Sequence, residues 1–393
     1  MAFMKYLLPA LALTSLATAQ NSACKGKKTI ENQDDANKLS SCKTIEGDVV
    51  IAKQTANVLT LDGIERISGS LESIGAENLT SLAAPQLATI GDSFKLTGLT
   101  RLTSLQFDSL TEVDSLDFEA LPQLQQLNFG KGVAKAVNVR IANTDLTSLN
   151  GISLRTVGDM EVSNNRHLKE VDVNEITNSS GYISFSANHM DLKISFPNLE
   201  NAKNITFRNV SEIAIPSLKK TEGLIGFYSN YFTSFIAANL SNTGDIVFAD
   251  NSALTNISLP ILEKVKGAFQ IANNTALKRV DGIPKLKTIT GTLDFSGNFS
   301  KVELPDLEEV GGAFNLQSSG VVPCDEFEKE LKGEAVRGKF VCRSAVEDPK
   351  TENGGTSTST GSKPTDSSFA VPLDPPAFLS MLALVGGAFG LVL

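Results

Sequence analysis

The chain has 393 residues, with 35 Lys and Arg against 44 Asp and Glu, and the net charge of −9 argues against a nucleic-acid partner. Four cysteines without a CxxC, and only two histidines, leave no recognisable zinc site. The absence of tryptophan removes the usual stacking platform for sugars.

Residues 1–19 carry a single Lys5, an apolar run from Tyr6 to Leu16 and an Ala17-Thr18-Ala19 ending. This is the layout of a secretory signal peptide cleaved before Gln20. Residues 20–44 precede the first repeat and are expected to form an N-terminal cap.

From 45 to 320 one motif recurs about every 22 residues. Aligned on its first apolar residue, it appears at Ile45, Ile67, Ile90, Val113, Val157, Thr221, Thr243, Val265, Ile289 and Val310, with weaker copies near 135, 179 and 202. Such a period predicts an all-β solenoid, a parallel β-helix of about 12 or 13 rungs, roughly 60 Å long, in which each rung buries its apolar face on its neighbours.

In each copy two apolar residues flank one polar residue, as in Leu293-Asp294-Phe295, Ile205-Thr206-Phe207 and Val137-Asn138-Val139, so a short strand points one face in and one out. Three residues past the inward residue stand Asn165, Asn188, Asn230, Asn251, Asn274 and Asn298, placed to tolerate a turn and to bond between rungs. A Leu/Pro segment follows, as in "APQL" (84–87), "LPQL" (121–124), "FPNL" (196–199), "IPSL" (215–218), "LPIL" (259–262) and "LPDL" (304–307). Proline at one fixed place per rung suits a corner. Phe185, Phe207, Phe227, Phe248 and Phe295 fall at the inward position and are expected in the core.

Residues 321–349 read as a C-terminal cap. Thr, Ser, Gly and Pro then dominate 350–366, the composition of an extended, O-glycosylated stalk. Residues 375–393 are uncharged and apolar to the end, and with the small residues upstream they read as a glycosylphosphatidylinositol (GPI) attachment signal, with 367–393 removed. Asp366, followed by Ser367 and Ser368, fits the anchor position, with Gly361 as the second choice. The expected location is the extracellular face of the plasma membrane.

In that oxidising setting Cys24, Cys42, Cys324 and Cys342 form two pairs, each with an eighteen-residue step. Four cysteines allow three connectivities, but a bridge between the ends would have to span the rod. Cys24–Cys42 and Cys324–Cys342 are therefore expected as local caps. Eight Asn-x-Ser/Thr sequons, at Asn78, Asn178, Asn204, Asn209, Asn239, Asn256, Asn273 and Asn298, predict heavy N-glycosylation.

Because parallel β-helices include polysaccharide hydrolases and lyases, the outward column is the place to look for chemistry. It reads Glu72, Lys95, Asp117, Asn138, Glu161, Ser184, Thr206, Gly226, Val247, Gln270, Asp294 and Asn315. Glycosidases need two carboxyls about 5 to 9.5 Å apart. Neighbouring rungs present no such pair in this column, and Asp117 and Glu161, two rungs apart, lie about 9.6 Å from each other. His167 and His189 follow turn asparagines on adjacent rungs near Asp191, without an evident third metal ligand, and Tyr182, Tyr228 and Tyr231 are the candidates for a small sugar platform. The column predicts no catalytic, cofactor or metal site.

"SCKTIEGDVVI" (41–51) resembles the opening of the receptor L domain, the leucine-rich β-helix of insulin- and epidermal-growth-factor-type receptors. A fuller resemblance covers nearly the whole chain: the signal, "KTIENQDDANKLSSC" (28–42), the Gly-containing strands, the Cys pair around "PCDEFEKEL" (323–331), the stalk and the tail are similar to the fungal GPI-anchored cell-wall organisation proteins of the yeast sporulation-specific and extracellular-matrix-mutant type. The resemblance implies a surface glycoprotein needed for wall architecture, held to the outer leaflet by its lipid or transferred to the wall, with wall polysaccharides or wall glycoproteins as partners and no assigned reaction. The alternative is a wall-glycan-modifying enzyme on the same scaffold.

Overall fold

The computed structural model describes residues 22–333 and 335–351, and the statements below concern these. The signal peptide, most of the stalk and both anchor candidates, Asp366 and Gly361, lie outside them. Among the described residues no helix is long and apolar enough to cross a membrane.

The expected β-solenoid is present, with about fourteen turns. A typical rung begins with a two-residue strand such as Lys264–Val265, bends, and continues into a second strand such as Phe269–Ala272. It then turns into a short third strand such as Arg279–Val280 before the next rung starts at Thr288–Ile289. First and second strands of successive rungs join into one parallel sheet of 23 strands, while the third strands form smaller parallel sheets. The two caps extend the ladder at its ends: Lys28–Ile30 pairs with Val49–Ile51, and Phe314–Gln317 pairs with Phe340–Arg343.

Period-two alternation explains the core. The first-strand column runs Ile45, Ile67, Ile90 and Val113, and later Thr243, Val265, Ile289 and Val310, all buried. Ser179, Ala202 and Thr221 occupy the same register. Where a hydroxyl replaces an alkyl group in this column it finds a partner: the Thr221 and Thr243 Oγ1 atoms are 2.6 Å apart, and Ser179 Oγ donates to Gly158 O at 3.1 Å.

In the second strand, Phe185, Phe207, Phe227 and Phe248 stack rung on rung with centroids 6.1, 6.0 and 4.7 Å apart. Phe295 is equally buried but follows Ile271, and it packs edge-on against Phe269 at 5.0 Å.

The corner after the second strand combines two devices. Most rungs place one residue there in the left-handed region, among them Gly75, Gly98, Asn143, Asn164, Asn209 and Asn273. The next residue turns inward. Where it is Asn, its side chain links rungs: Asn251 Oδ1 accepts from Asn230 N and Nδ2 at 2.9 and 3.0 Å, while Asn251 Nδ2 donates to Phe227 O at 3.0 Å. Asn274 repeats this toward Asn251, and Asn188 toward Asn165.

Asn298 does not join this ladder. Its strand continues through Gly297, which pairs with Ser318 and has no left-handed backbone, so Asn298 is exposed.

The proline corner also needs one correction. "APQL", "FPNL", "IPSL", "LPIL" and "LPDL" close a turn after the third strand, with the final Leu N–H donating back to the first residue, as from Leu262 to Leu259 O at 3.2 Å. "LPQL" (121–124) instead follows the second strand, Glu112–Leu121, and occupies the corner that other rungs give to Asn. Proline therefore does not mark one fixed place.

Both ends are closed by a helix and a bridge. Helix α1 (Gln33–Asn37) buries Ala36, and Asn32 caps it by accepting from Asp35 N at 3.2 Å. Helix α2 (Cys324–Leu331) buries Phe327 and Leu331, with the Phe327 ring 5.7 Å from Phe314. Cys24 bonds to Cys42 and Cys324 to Cys342, each across a sequence separation of 18. Replacing Cys324 and Cys342 together by Ser should lower stability by about 3 kcal/mol, measured by denaturant unfolding. Unchanged unfolding would mean that the bridge adds nothing to the cap.

Candidate functional site

The second strands carry the outward column on the open face of the large sheet. Its register runs Glu72, Lys95, Asp117, Arg140, Glu161, Ser184, Thr206, Gly226, Val247, Gln270, Asp294 and Asn315. Eleven of the twelve expected positions stand as read. The exception is Asn138, which pairs with Ser115 and Asp159 two residues toward the bend, leaving its place to Arg140.

The substitution changes the electrostatics of the face. Asp117 is held from both sides, by Lys95 Nζ at 2.8 Å and Arg140 Nη1 at 3.1 Å, and the same Arg140 nitrogen donates to Glu119 Oε2 at 2.9 Å. The hydrogen bond to Glu119, then that to Asp117, raises the guanidinium above its ordinary range despite partial burial. Arg140 thus stands between Asp117 and Glu161, the two carboxylates that sequence spacing left as the nearest approach to a catalytic pair. Tyr182 lies beside Glu161. Its hydroxyl is pushed up first by burial and then by the negative charges of Glu161 and Asp159.

The bend before the second strand holds a feature that the sequence reading missed. Asp48, Asp159, Asn204 and Asp245 each use Oδ1 to accept a backbone N–H from the next rung, from Ser70, Tyr182, Leu224 and Ala268. The recurrent Gly-Asp of "VGDME" and "TGDIV" was the available signal.

The other candidates separate. His167 Nδ1 lies 3.5 Å from Asp145 Oδ1, whereas His189 Nδ1 accepts from Asp191 N at 3.0 Å. Among the described residues no three His, Cys, Asp or Glu side chains gather as a metal site. Tyr228 lies on the outer face with the Arg208 guanidinium 4.0 Å from its ring centre, and it folds across Gly226, where a Cβ would come within 2.6 Å of the ring. Tyr231 sits at a corner, and no tyrosine ring packs on another among the described residues. None of the eight sequon asparagines is buried; Asn178, Asn204 and Asn209 are half-buried and the others exposed.

Comparison with known proteins gives this surface its context. The family model described as "Ecm33: GPI-anchored cell wall organization protein" matches residues 1–40. The chain is 49% identical to a cell surface GPI-anchored protein of Arthroderma benhamiae over 98% of both chains. The chain belongs to the Ecm33-type family of fungal GPI-anchored cell wall proteins. It is also 46% identical to "Protein ecm33" of Aspergillus fumigatus over 92% of both chains, and 33% identical to the cell wall mannoprotein PST1 of Saccharomyces cerevisiae over 84% of this chain and 74% of that one. No solved structure matches it. Membership in the Ecm33 family makes this a GPI-anchored protein of the fungal cell surface, with a role in the wall.

Proposed function

We propose that the protein works by contact, binding or scaffolding wall components without turning them over. The supporting observation is the outward column: Asp117 is engaged by Lys95 and Arg140, Arg140 separates it from Glu161, and the nearer carboxylate, Glu119, is tied to the same Arg140 nitrogen. Acid/base cleavage of a glycosidic bond needs one carboxyl to give up a proton and a second carboxylate close enough to attack or to activate water. A carboxylate clamped between two cations is a structural anion, suited to holding neighbouring rungs in register. The rest of the column, from Ser184 through Gln270, offers hydroxyl, amide and small apolar groups.

Asp117→Ala and Glu161→Ala are each expected to restore wall integrity when introduced into a deletion strain, with stability changed by no more than about 1 kcal/mol. Growth on chitin- and glucan-binding dyes is the measurement, alongside the size distribution of β-glucan and chitin oligomers incubated with purified protein. Shortened or lengthened oligomers, lost with either variant while the protein stays folded and at the surface, would give the enzyme reading precedence.

A further inference from the structure

A groove lies on the third-strand side of the solenoid, beside Gln106, Asn128 and Asn150. Third strands pair through the bridge between Gln106 and Asn128, and again through that between Ser148 and Glu170. Among the described residues no strand pairing joins Asn128 to the segment of Asn150. The two rungs are still tied on either side of this gap. Thr147 N donates to Gln125 O at 3.2 Å upstream, and Val133 N donates to Gly151 O at 2.8 Å downstream.

Between these ties the chain makes a turn closed by Gly132 N donating to Phe129 O at 2.9 Å, with Gly132 at φ 77°. The resulting opening is a shallow, wide-mouthed depression of about 620 Å³, which suits a chain lying across it rather than an enclosed ligand.

Its lining is specific in kind. Gln106, Asn128 and Asn150 present amides from three successive rungs, and the side chains of Asn128 and Asn150 have no hydrogen-bond partner among the described residues. The corner amides of the same solenoid, such as Asn230 and Asn251, are buried and bonded. Gly130 and Gly151 keep the floor low: a Cβ at Gly130 would meet Asp108 O at 3.1 Å, and one at Gly151 would meet Leu127 O at 3.1 Å. Leu127 and Phe129 lie beneath it as core residues, only 6% and 4% exposed. Asp108, the one charged group in the lining, is engaged through Oδ2 by Gln106 Nε2 at 2.8 Å.

Amides that both donate and accept match the paired hydroxyls of a sugar. With no cation in the lining, an anionic ligand gains nothing here. The sequons add an independent observation: seven of the eight fall at 178–298, while the rungs that build the groove lie between Asn78 and Asn178. Glycans on those seven sequons would stand on other rungs. We propose that this groove binds a short stretch of neutral wall polysaccharide. The assignment rests on the contact reading above and gives it a place on the molecule.

The test uses full-length protein extracted in detergent from expressing cells, titrated by calorimetry with soluble β-glucan oligosaccharides in one arm and chitin oligosaccharides in the other. Binding in either arm identifies which neutral polymer is the source. Combining Asn128→Ala with Asn150→Ala should weaken that binding at least about tenfold, or about 1.4 kcal/mol, without moving the thermal unfolding midpoint, because both side chains are exposed. Gln123→Ala, exposed on the same rung but outside the groove, should bind as wild type. If the double variant binds as tightly as wild type, the groove is the wrong site and the contact reading stands. If wild-type protein binds neither oligosaccharide, the groove assignment and binding to wall polysaccharide fall together.

Discussion

Phe207→Asp is expected to remove the folded protein from the cell surface and to reproduce the wall defect of a deletion strain. Phe207 is fully buried, stacked between Phe185 and Phe227 at 6.1 and 6.0 Å. The substitution deletes an aromatic ring, at a cost of about 3–5 kcal/mol, and leaves a carboxylate with no cation in reach of the phenylalanine column, which adds several more. Together these approach or exceed the whole stability of a typical domain, about 5–15 kcal/mol. Each rung of a solenoid is supported only by its neighbours, so the fault divides the stack. Phe207→Leu, which keeps the column apolar, should be secreted. Surface immunostaining of both variants is the measurement, and normal display of Phe207→Asp would show that the rungs do not share a continuous core.

The second large effect belongs to the asparagine ladder. Asn251→Leu keeps the side chain's size but removes the acceptor of Asn230 N and Nδ2 and the donor to Phe227 O. Three buried polar groups lose a partner, each worth about 1–3 kcal/mol when unsatisfied, so destabilisation of about 3 kcal/mol or more is expected. Asn298→Gln, at the exposed position that follows the same count, should stay within about 0.5 kcal/mol in unglycosylated protein. Denaturant unfolding of the two variants compares them directly. Equal effects would mean that the ladder is decorative and that the corner is held by backbone conformation alone.

These two sites also show what the chain made legible. The phenylalanine column, the first-strand column and the local cysteine bridges follow from signals of high contrast: strict alternation, a steady period and paired spacings. The ladder was visible as a recurring Asn, but membership depends on backbone. Asn274 follows a left-handed Asn273, whereas Asn298 follows Gly297, which stays in the strand.

Arg140 was missed because Val137-Asn138-Val139 and Val139-Arg140-Ile141 both read apolar, polar, apolar. A shift of two residues leaves the inward and outward faces unchanged, so alternation cannot choose between them. Counting back from the corner would have chosen. The left-handed Asn143 lies three residues past Arg140, as Asn164 lies three past Glu161. The Leu-x-x-Leu turns of the two corners are chemically alike, which is why "LPQL" was assigned to the wrong one. The groove had no local signature, since it arises from pairing that two distant segments do not make.

The C-terminal bridge has a mechanical consequence for a protein loaded through its C-terminal end. Tension entering beyond Lys350 first meets the segment that folds back on the last rungs, held by Lys350 N to Gln317 Oε1 and Val346 N to Ser318 O. Once these contacts tear, the force reaches Cys342 and crosses the sulfur–sulfur bond to Cys324, bypassing the chain between them, including α2 and the strand Phe340–Arg343 up to Cys342. Those residues carry no tension, so the last turn cannot be peeled away strand by strand. The bridge makes the loaded end of the stack a short, inextensible shackle.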